Sequence, residues 1–218
     1  MKERLRINYF SDLLCVWAWI AERRNQALTD DFGQSVERSD HYLGLFSDTG
    51  ARIGKGWEDR GGFEGFGDHV RRAAEPYPDA EVHADVWTRC RPKTSANAHL
   101  VLKATEIISA GAGAGLARSL RERFFVHAED IGRLDVLLDA AEQCGVSSSE
   151  VRGMLDDGTA IAALLSDDKL AQSFAIKGSP SWVMNSGRQL LYGNVGYRVL
   201  HANVEELLRS PAHEASWC

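Results

Sequence analysis

The stretch Ile7-Asn8-Tyr9-Phe10-Ser11-Asp12-Leu13-Leu14-Cys15-Val16-Trp17-Ala18-Trp19-Ile20-Ala21 decides how this chain is read. Ile7 to Phe10 is short, apolar and aromatic, and Ser11-Asp12 stops it, which is the pattern of a buried strand. A helix opens near Cys15, with Trp17, Ile20, Ala21, Arg24 and Leu28 at helical spacing and Asp31-Phe32-Gly33 as its stop. Cys15 therefore stands where a strand hands over to a helix. Unpaired backbone N–H groups and the helix dipole favour an anion at such a point. Thiols so placed fall from about 8.5 into a range of about 3.5 to 7.5, and at a pKa of about 6 some ~90% would be thiolate at pH 7. The same residues also allow a buried structural cysteine. Trp17 and Trp19 lie on opposite helix faces, so at most one lines a site, and Trp17 is the candidate. Lys2, Arg4 and Arg6 ahead of Leu13 to Ala21 imitate a secretory signal. Asn8, Ser11 and Asp12 interrupt that pattern, no small-x-small cleavage site follows, and the run is short of the roughly 20 residues of a membrane helix.

Outward from this segment, a second strand over Ser35 to Phe46 gives a strand-helix-strand start with a parallel pair. Residues 50–67 carry Gly50, Gly54, Gly56, Gly61, Gly62, Gly65 and Gly67 among Trp57, Phe63 and Phe66. The spacing predicts a loop pinned by aromatic anchors, and it lacks the Gly-Lys-Ser/Thr ending of a phosphate loop. Thr94 to Phe174 reads as helical. Ile131, Leu134, Leu138 and Ala141 form an apolar stripe closed by Gly145, Ser147 to Glu150 is a capping-box pattern, and Gly158-Thr159 restarts a helix. Ala110 to Gly115 reads as a helix-helix connection. Ser181 to Met184 and Gln189 to Tyr192 are strands joined by a turn at Asn185-Ser186-Gly187. A last helix buries Leu200, Val204, Leu207 and Leu208.

Composition narrows the classes. With 218 residues, 44% hydrophobic and 26% charged, the chain is neither disordered nor fibrous. A net charge of −6, with no Lys/Arg run longer than two, excludes an electrostatic footprint for nucleic acid. Cys15, Cys90, Cys144 and Cys218 lack paired CxxC spacing, which argues against a zinc site or disulfide framework and for a reducing, cytoplasmic location. The histidines are isolated, so no metal is expected. His99, among Leu100, Leu102 and Ile107, reads as a hydrogen-bonded core or rim residue. Cys90, between Arg89 and Arg91, is a candidate for an activated thiol; Cys144 reads as packing and Cys218 as a tail residue.

Ser11-Asp12-Leu13-Leu14-Cys15-Val16-Trp17-Ala18 resembles the active-site segment of the DsbA-like, FrnE-like branch of the thioredoxin superfamily, which usually carries Cys-Pro-Trp-Cys there. Gly178-Ser179-Pro180-Ser181-Trp182-Val183 resembles the family's cis-proline segment, Thr94 to His99 its helix-opening stretch, and Arg121 to Leu155 its helical insertion. The resemblance covers nearly the whole chain, with Gly50 to Trp87 fitting loosely. It implies an α/β, thioredoxin-like fold with a large helical insertion between the βαβ half and the ββα half. Residues 1–48 and 175–218 would form the thioredoxin-like domain and 49–174 the insertion.

One departure bears on the chemistry. Ala18 stands where the family usually has its second cysteine, so Cys15 would stop at a mixed disulfide until another thiol resolves it. The leading expectation is a monothiol thiol–disulfide oxidoreductase. Cys15 is its nucleophile, Trp17, Ser179 and Pro180 orient a small-molecule thiol or disulfide-bearing substrate, and glutathione is the co-substrate. The resemblance extends to the 2-hydroxychromene-2-carboxylate isomerases and kappa-class glutathione transferases. These have a serine at the position of Cys15 and activate glutathione, so a glutathione-dependent isomerase or transferase is the second reading. It would place the cysteinyl part of glutathione at Ser179 and the glutamyl part at Asn194 or Arg198. A redox-inactive binding protein is the third. No tightly bound cofactor, nucleic acid or membrane is expected, and a homodimer is compatible with the sequence.

Overall fold

The computed structural model describes residues 4–210; Cys218 and Lys2 lie outside them. Strand β1 (Leu5–Ser11) alternates as its sequence does: Leu5, Ile7 and Tyr9 are buried with Ala21, Leu28, Trp182 and Leu200, while Phe10 is buried on the other side with Leu43, Ala171 and Val183. It hands over to α1 (Val16–Phe32), whose return strand β2 (Val36–Tyr42) pairs parallel with β1. Strands β3 (Ser181–Met184) and β4 (Gln189–Tyr192) complete a four-stranded sheet of order β2-β1-β3-β4, with β3 antiparallel to both neighbours. The last helix, α8 (Tyr197–Arg209), buries Leu200, Val204 and Leu207 against the face that α1 also covers. This is a mixed α/β, thioredoxin-like fold.

Between β2 and β3 lies a helical body: α2 (Gly62–Ala74), α3 (Ala96–Ile108), α4 (Gly113–Phe125), α5 (Leu134–Gln143), α6 (Ser148–Asp156) and α7 (Thr159–Ser173). It shares one continuous core with Leu13, Leu14, Cys15, Ala18 and Ile20, so the first turn of α1 is built into the insertion as well as the sheet domain. Arg121 of α4 fastens the two parts from inside, donating to Glu22 Oε1 at 2.5 Å and to Ser11 Oγ at 2.9 Å.

Four local expectations are corrected. Residues 50–67 are not a loop. They form a π-helical turn (Gly50–Lys55), a 3-10 turn (Glu58–Arg60) and the start of α2. Gly61 and Gly62 at φ 89° and 57° make the sharp reversal, while Gly65 and Gly56 let backbones approach where a Cβ would meet Arg60 O and Arg52 O. The glycines therefore serve close packing rather than mobility. The second strand ends at Tyr42, short of Phe46, because the following backbone is drawn toward Asp12, whose carboxylate accepts the Phe46 N–H. The buried face of α1 keeps the expected Ile20, Ala21 and Leu28 but differs at its margins. Trp19 and Asn25 are buried, Asn25 Oδ1 accepting from Trp182 Nε1, whereas Trp17 and Arg24 are partly exposed. Ser147 does cap α6 by position, but its hydroxyl pairs with Ser149 Oγ and no capping-box hydrogen bond forms.

Candidate active site

Cys15 is the N-cap of α1, with extended backbone (φ −82°, ψ 115°), and its carbonyl accepts the Ala18 and Trp19 N–H groups. The turn before it is held by Asp12. That carboxylate is fully buried and accepts from Leu14 N (2.9 Å), Phe46 N (2.9 Å) and Ser95 Oγ (2.8 Å), so three segments of chain converge on one side chain. Asp12 N–H donates to Ser179 Oγ at 3.0 Å, which ties this turn to the distant segment Gly178-Ser179-Pro180. The Ser179–Pro180 peptide bond is cis. Cys15 Sγ donates to Ser179 O at 3.4 Å, and Cys15 is one of the residues lining a cavity of about 520 Å³.

Of the residues singled out from sequence, Cys15, Trp17 and Ser179 line this cavity together, and Pro180, next in the chain, is buried and not among the lining residues. Asn194 and Arg198 are not among the lining residues. Asn194 is held by Arg24 Nη1 (2.7 Å) and donates to Tyr77 Oη (2.7 Å), and Arg198 is exposed on α8. Trp19 turns into the core, stacking on Phe125 and donating to Glu81 O. His99 is buried, stacks on Tyr42 and accepts the Leu13 N–H at Nε2 (3.3 Å). Burial pushes its pKa below the ordinary histidine value, so it is a neutral positioning group.

The expected low thiol pKa is reversed at both cysteines. Burial pushes the Cys15 thiol above its ordinary value and the neighbouring Asp12 charge adds to this; the Ser179 side chain and the Ala18 and Trp17 N–H groups offset only part of it. Cys90 is pushed up to about 12 by burial and by Asp130, Asp85 and Glu129. Its flanking cations do not activate it, because Arg89 pairs with Asp85 and Arg91 turns to Trp87 O. Cys144 caps the end of α5 and packs against the core. Neither Cys90 nor Cys144 lines the cavity.

Sequence reasoning missed the rest of the wall. Leu45, Phe46, Arg52, Trp57, Arg60 and Phe66 come from the glycine-rich segment and the stretch before it. The aromatic anchors Trp57 and Phe66 were the available signal; they meet edge to face at 4.9 Å. Among the described residues, no group of three His, Cys, Asp or Glu is placed to hold a metal ion, and no helix is long and apolar enough to cross a membrane.

A protein-family model described as Thioredoxin matches residues 9–194. Among curated proteins, the ClpXP adapter protein SpxH of Halalkalibacterium halodurans is 25% identical over 184 residues, 84% of this chain; the chain spans 59% of that relative's length. Among the solved structures that share the fold are the following three. A Nitrosomonas europaea protein provisionally described as a disulfide isomerase superposes with a TM-score of 0.81 at 14% identity, covering 96% of this chain and 100% of that one. The cytosolic disulfide reductase DsbM of Pseudomonas aeruginosa, solved with GSH, gives 0.70 at 18%, covering 94% and 99%. A 2-hydroxychromene-2-carboxylate isomerase gives 0.67 at 15%, covering 97% and 100%.

Proposed function

Because the chain belongs to the thioredoxin family, with the fold of its DsbA-like oxidoreductases, we propose that it is a monothiol thiol–disulfide oxidoreductase with Cys15 as nucleophile. One observation carries this reading: Cys15 is the single cysteine among the cavity's lining residues, and Ala18, one turn on, is fully buried and has no thiol to offer. The Cys15 thiolate attacks a disulfide sulfur, forms a mixed disulfide and expels the other half as a thiolate, which takes up a proton from water. An external thiol such as glutathione then attacks the substrate sulfur of the mixed disulfide; a new disulfide joins that thiol to the substrate half as the Cys15 S–S bond breaks, and the departing Cys15 thiolate takes up a proton. Trp17 and Ser179 flank the sulfur and orient the incoming chain, and the Ala18 and Trp17 N–H groups stabilise the thiolate once formed.

The raised thiol pKa favours a second reading. A protonated Cys15 whose Sγ–H now points to Ser179 O can instead donate to the thiolate of bound glutathione, the role suited to an isomerase or transferase. The adapter role in the name of the SpxH relative supports a third, a binding protein without redox turnover. Incubation with oxidised glutathione followed by peptide mass spectrometry separates them. The proposal expects a glutathione adduct confined to Cys15, absent in Cys15→Ser and removed by reduced glutathione. No adduct even at a pH where free thiols are ionised, together with tight binding of reduced glutathione, selects the second reading. Neither adduct nor binding selects the third.

A further inference from the structure

The cavity over Cys15 is lined by Arg52, Arg60 and Lys177 and, among the described residues, by no Asp or Glu. The three cations come from separate stretches: the π-helical turn Gly50–Lys55, the 3-10 turn Glu58–Arg60, and the approach to Ser179. None has a carboxylate within 4 Å among the described residues, although the chain carries 31 acidic side chains against 25 Lys and Arg. Other cations of the chain do meet carboxylates: Arg123 bridges Glu129 and Asp139, and Lys103 bridges Glu106 and Asp167. An acid-free concavity in an acidic protein is a local arrangement that overall charge does not produce.

The arginines are also posed. The Arg60 guanidinium lies 3.8 Å from the centre of the Trp57 ring and that of Arg52 4.8 Å from the centre of Phe46. A ring covers one side of each guanidinium, Arg60 Nη2 also donates to Gly56 O at 3.2 Å, and the remaining N–H groups are left for an acceptor such as a carboxylate. His69, also on this wall, is pushed below its ordinary pKa by burial and by Arg72 and Arg60, so it stays neutral and the positive charge comes from Arg52, Arg60 and Lys177. Between the cations the wall is apolar, with Trp17, Phe46, Trp57 and Phe66.

We propose that this cavity selects small disulfides that carry carboxylates or like anions beside the sulfurs, holding the acid groups on Arg52, Arg60 and Lys177 while one sulfur meets Cys15. The inference rests on the reading of Cys15 as an exchanging thiol and adds the substrate's charge to it. In the step itself the Cys15–substrate S–S bond forms as the substrate's own S–S bond breaks. The Cys15 sulfur is oxidised to the mixed disulfide, and the departing half is reduced to a carboxylate-bearing thiol that is protonated by water.

Three disulfides of similar length test it: 3,3′-dithiodipropionate, neutral bis(2-hydroxyethyl) disulfide and cationic cystamine, each rate at Cys15 read by mass spectrometry and divided by its rate with a free thiol. The dianion is expected to exceed the neutral probe by about tenfold or more, with cystamine slowest, and about 1 M salt to remove most of the difference. R52Q/R60Q abolishes the preference for the dianion over the neutral probe and K177Q, on another segment, weakens it, with unchanged far-UV circular dichroism and denaturant midpoint reporting intact folding. Equal normalised rates for all three probes overturn the inference. Binding of 3,3′-dithiodipropionate to Cys15→Ser, followed by tryptophan fluorescence with and without R52Q/R60Q, keeps the two readings apart. Binding that needs the arginines, with no mixed disulfide on the wild-type protein, retains the anion site and removes the exchange chemistry. Mixed disulfides without charge preference or binding do the reverse.

Discussion

At the scale of single residues, Asp12 sets the terms for Cys15. The carboxylate ties Leu14, Phe46 and Ser95 to the cysteine turn, and its cost is a negative charge beside a buried thiol. A thiol raised mainly by burial ionises late. The rate of Cys15 alkylation should therefore rise with pH through a transition above the ordinary thiol value of about 8.5, in contrast with thiols exposed at a helix start. Peptide-resolved iodoacetamide labelling across pH checks this, and a transition below that value sinks it. Asp12→Asn removes the charge and turns an amide toward groups that need an acceptor. It should move the transition down while costing about 1–3 kcal/mol in denaturant unfolding. Cys90, pushed up to about 12 and absent from the cavity wall, should stay unlabelled at neutral pH.

At the scale of elements, the glycine-rich segment holds Arg52 and Arg60 at the cavity. Its tightest point is Gly65, where a Cβ would lie 1.8 Å from Arg60 O. Gly65→Ala must push the 3-10 turn away from α2, so it should destabilise the protein by about 1–3 kcal/mol. It should also reduce discrimination among charged disulfides without altering the neutral rate. Gly111→Ala, where a Cβ meets nothing within 4 Å, is the control; equal losses in both variants would remove the steric argument. The composition of this segment announced a turn-rich, aromatic-anchored stretch. It did not announce helical turns, because glycine lowers helix propensity locally and the requirement for close backbone contact is visible only with Arg60 and α2 in place.

At the scale of the whole molecule, buried charges join the insertion to the sheet. Asp167 of α7 accepts from His41 Nδ1 (2.7 Å) and Tyr42 N (3.0 Å) on β2, and pairs with Lys103 of α3 at 3.2 Å. Burial alone would raise its pKa, yet His41, the Tyr42 N–H and Lys103 together hold it below the ordinary carboxylate value. A depressed acid contributes stability that is present above the unfolded value of about 4 and is lost as pH falls through the folded one. The stability gap between wild type and Asp167→Asn should accordingly be widest near neutrality and narrow below about pH 4. Urea titrations at several pH values measure it, and a gap independent of pH contradicts the assignment.

The sequence by itself determined the parts that depend on neighbours in the chain. The strand-to-helix junction at Cys15, the hairpin after Pro180, the helix restarts at Gly158 and the buried stripe of α8 all follow from local periodicity and turn chemistry. So does the absence of a second thiol at Ala18. Only the tertiary structure decided the electrostatics and the walls of the site. Whether a thiol at a helix start is lowered or raised depends on how much protein covers it and which charges stand near. Here Asp12 and the core oppose the N–H groups. Whether Arg52, Arg60 and Lys177 are scattered surface charges or one anion-facing wall depends on contacts between residues more than a hundred positions apart, which no local pattern in the chain encodes.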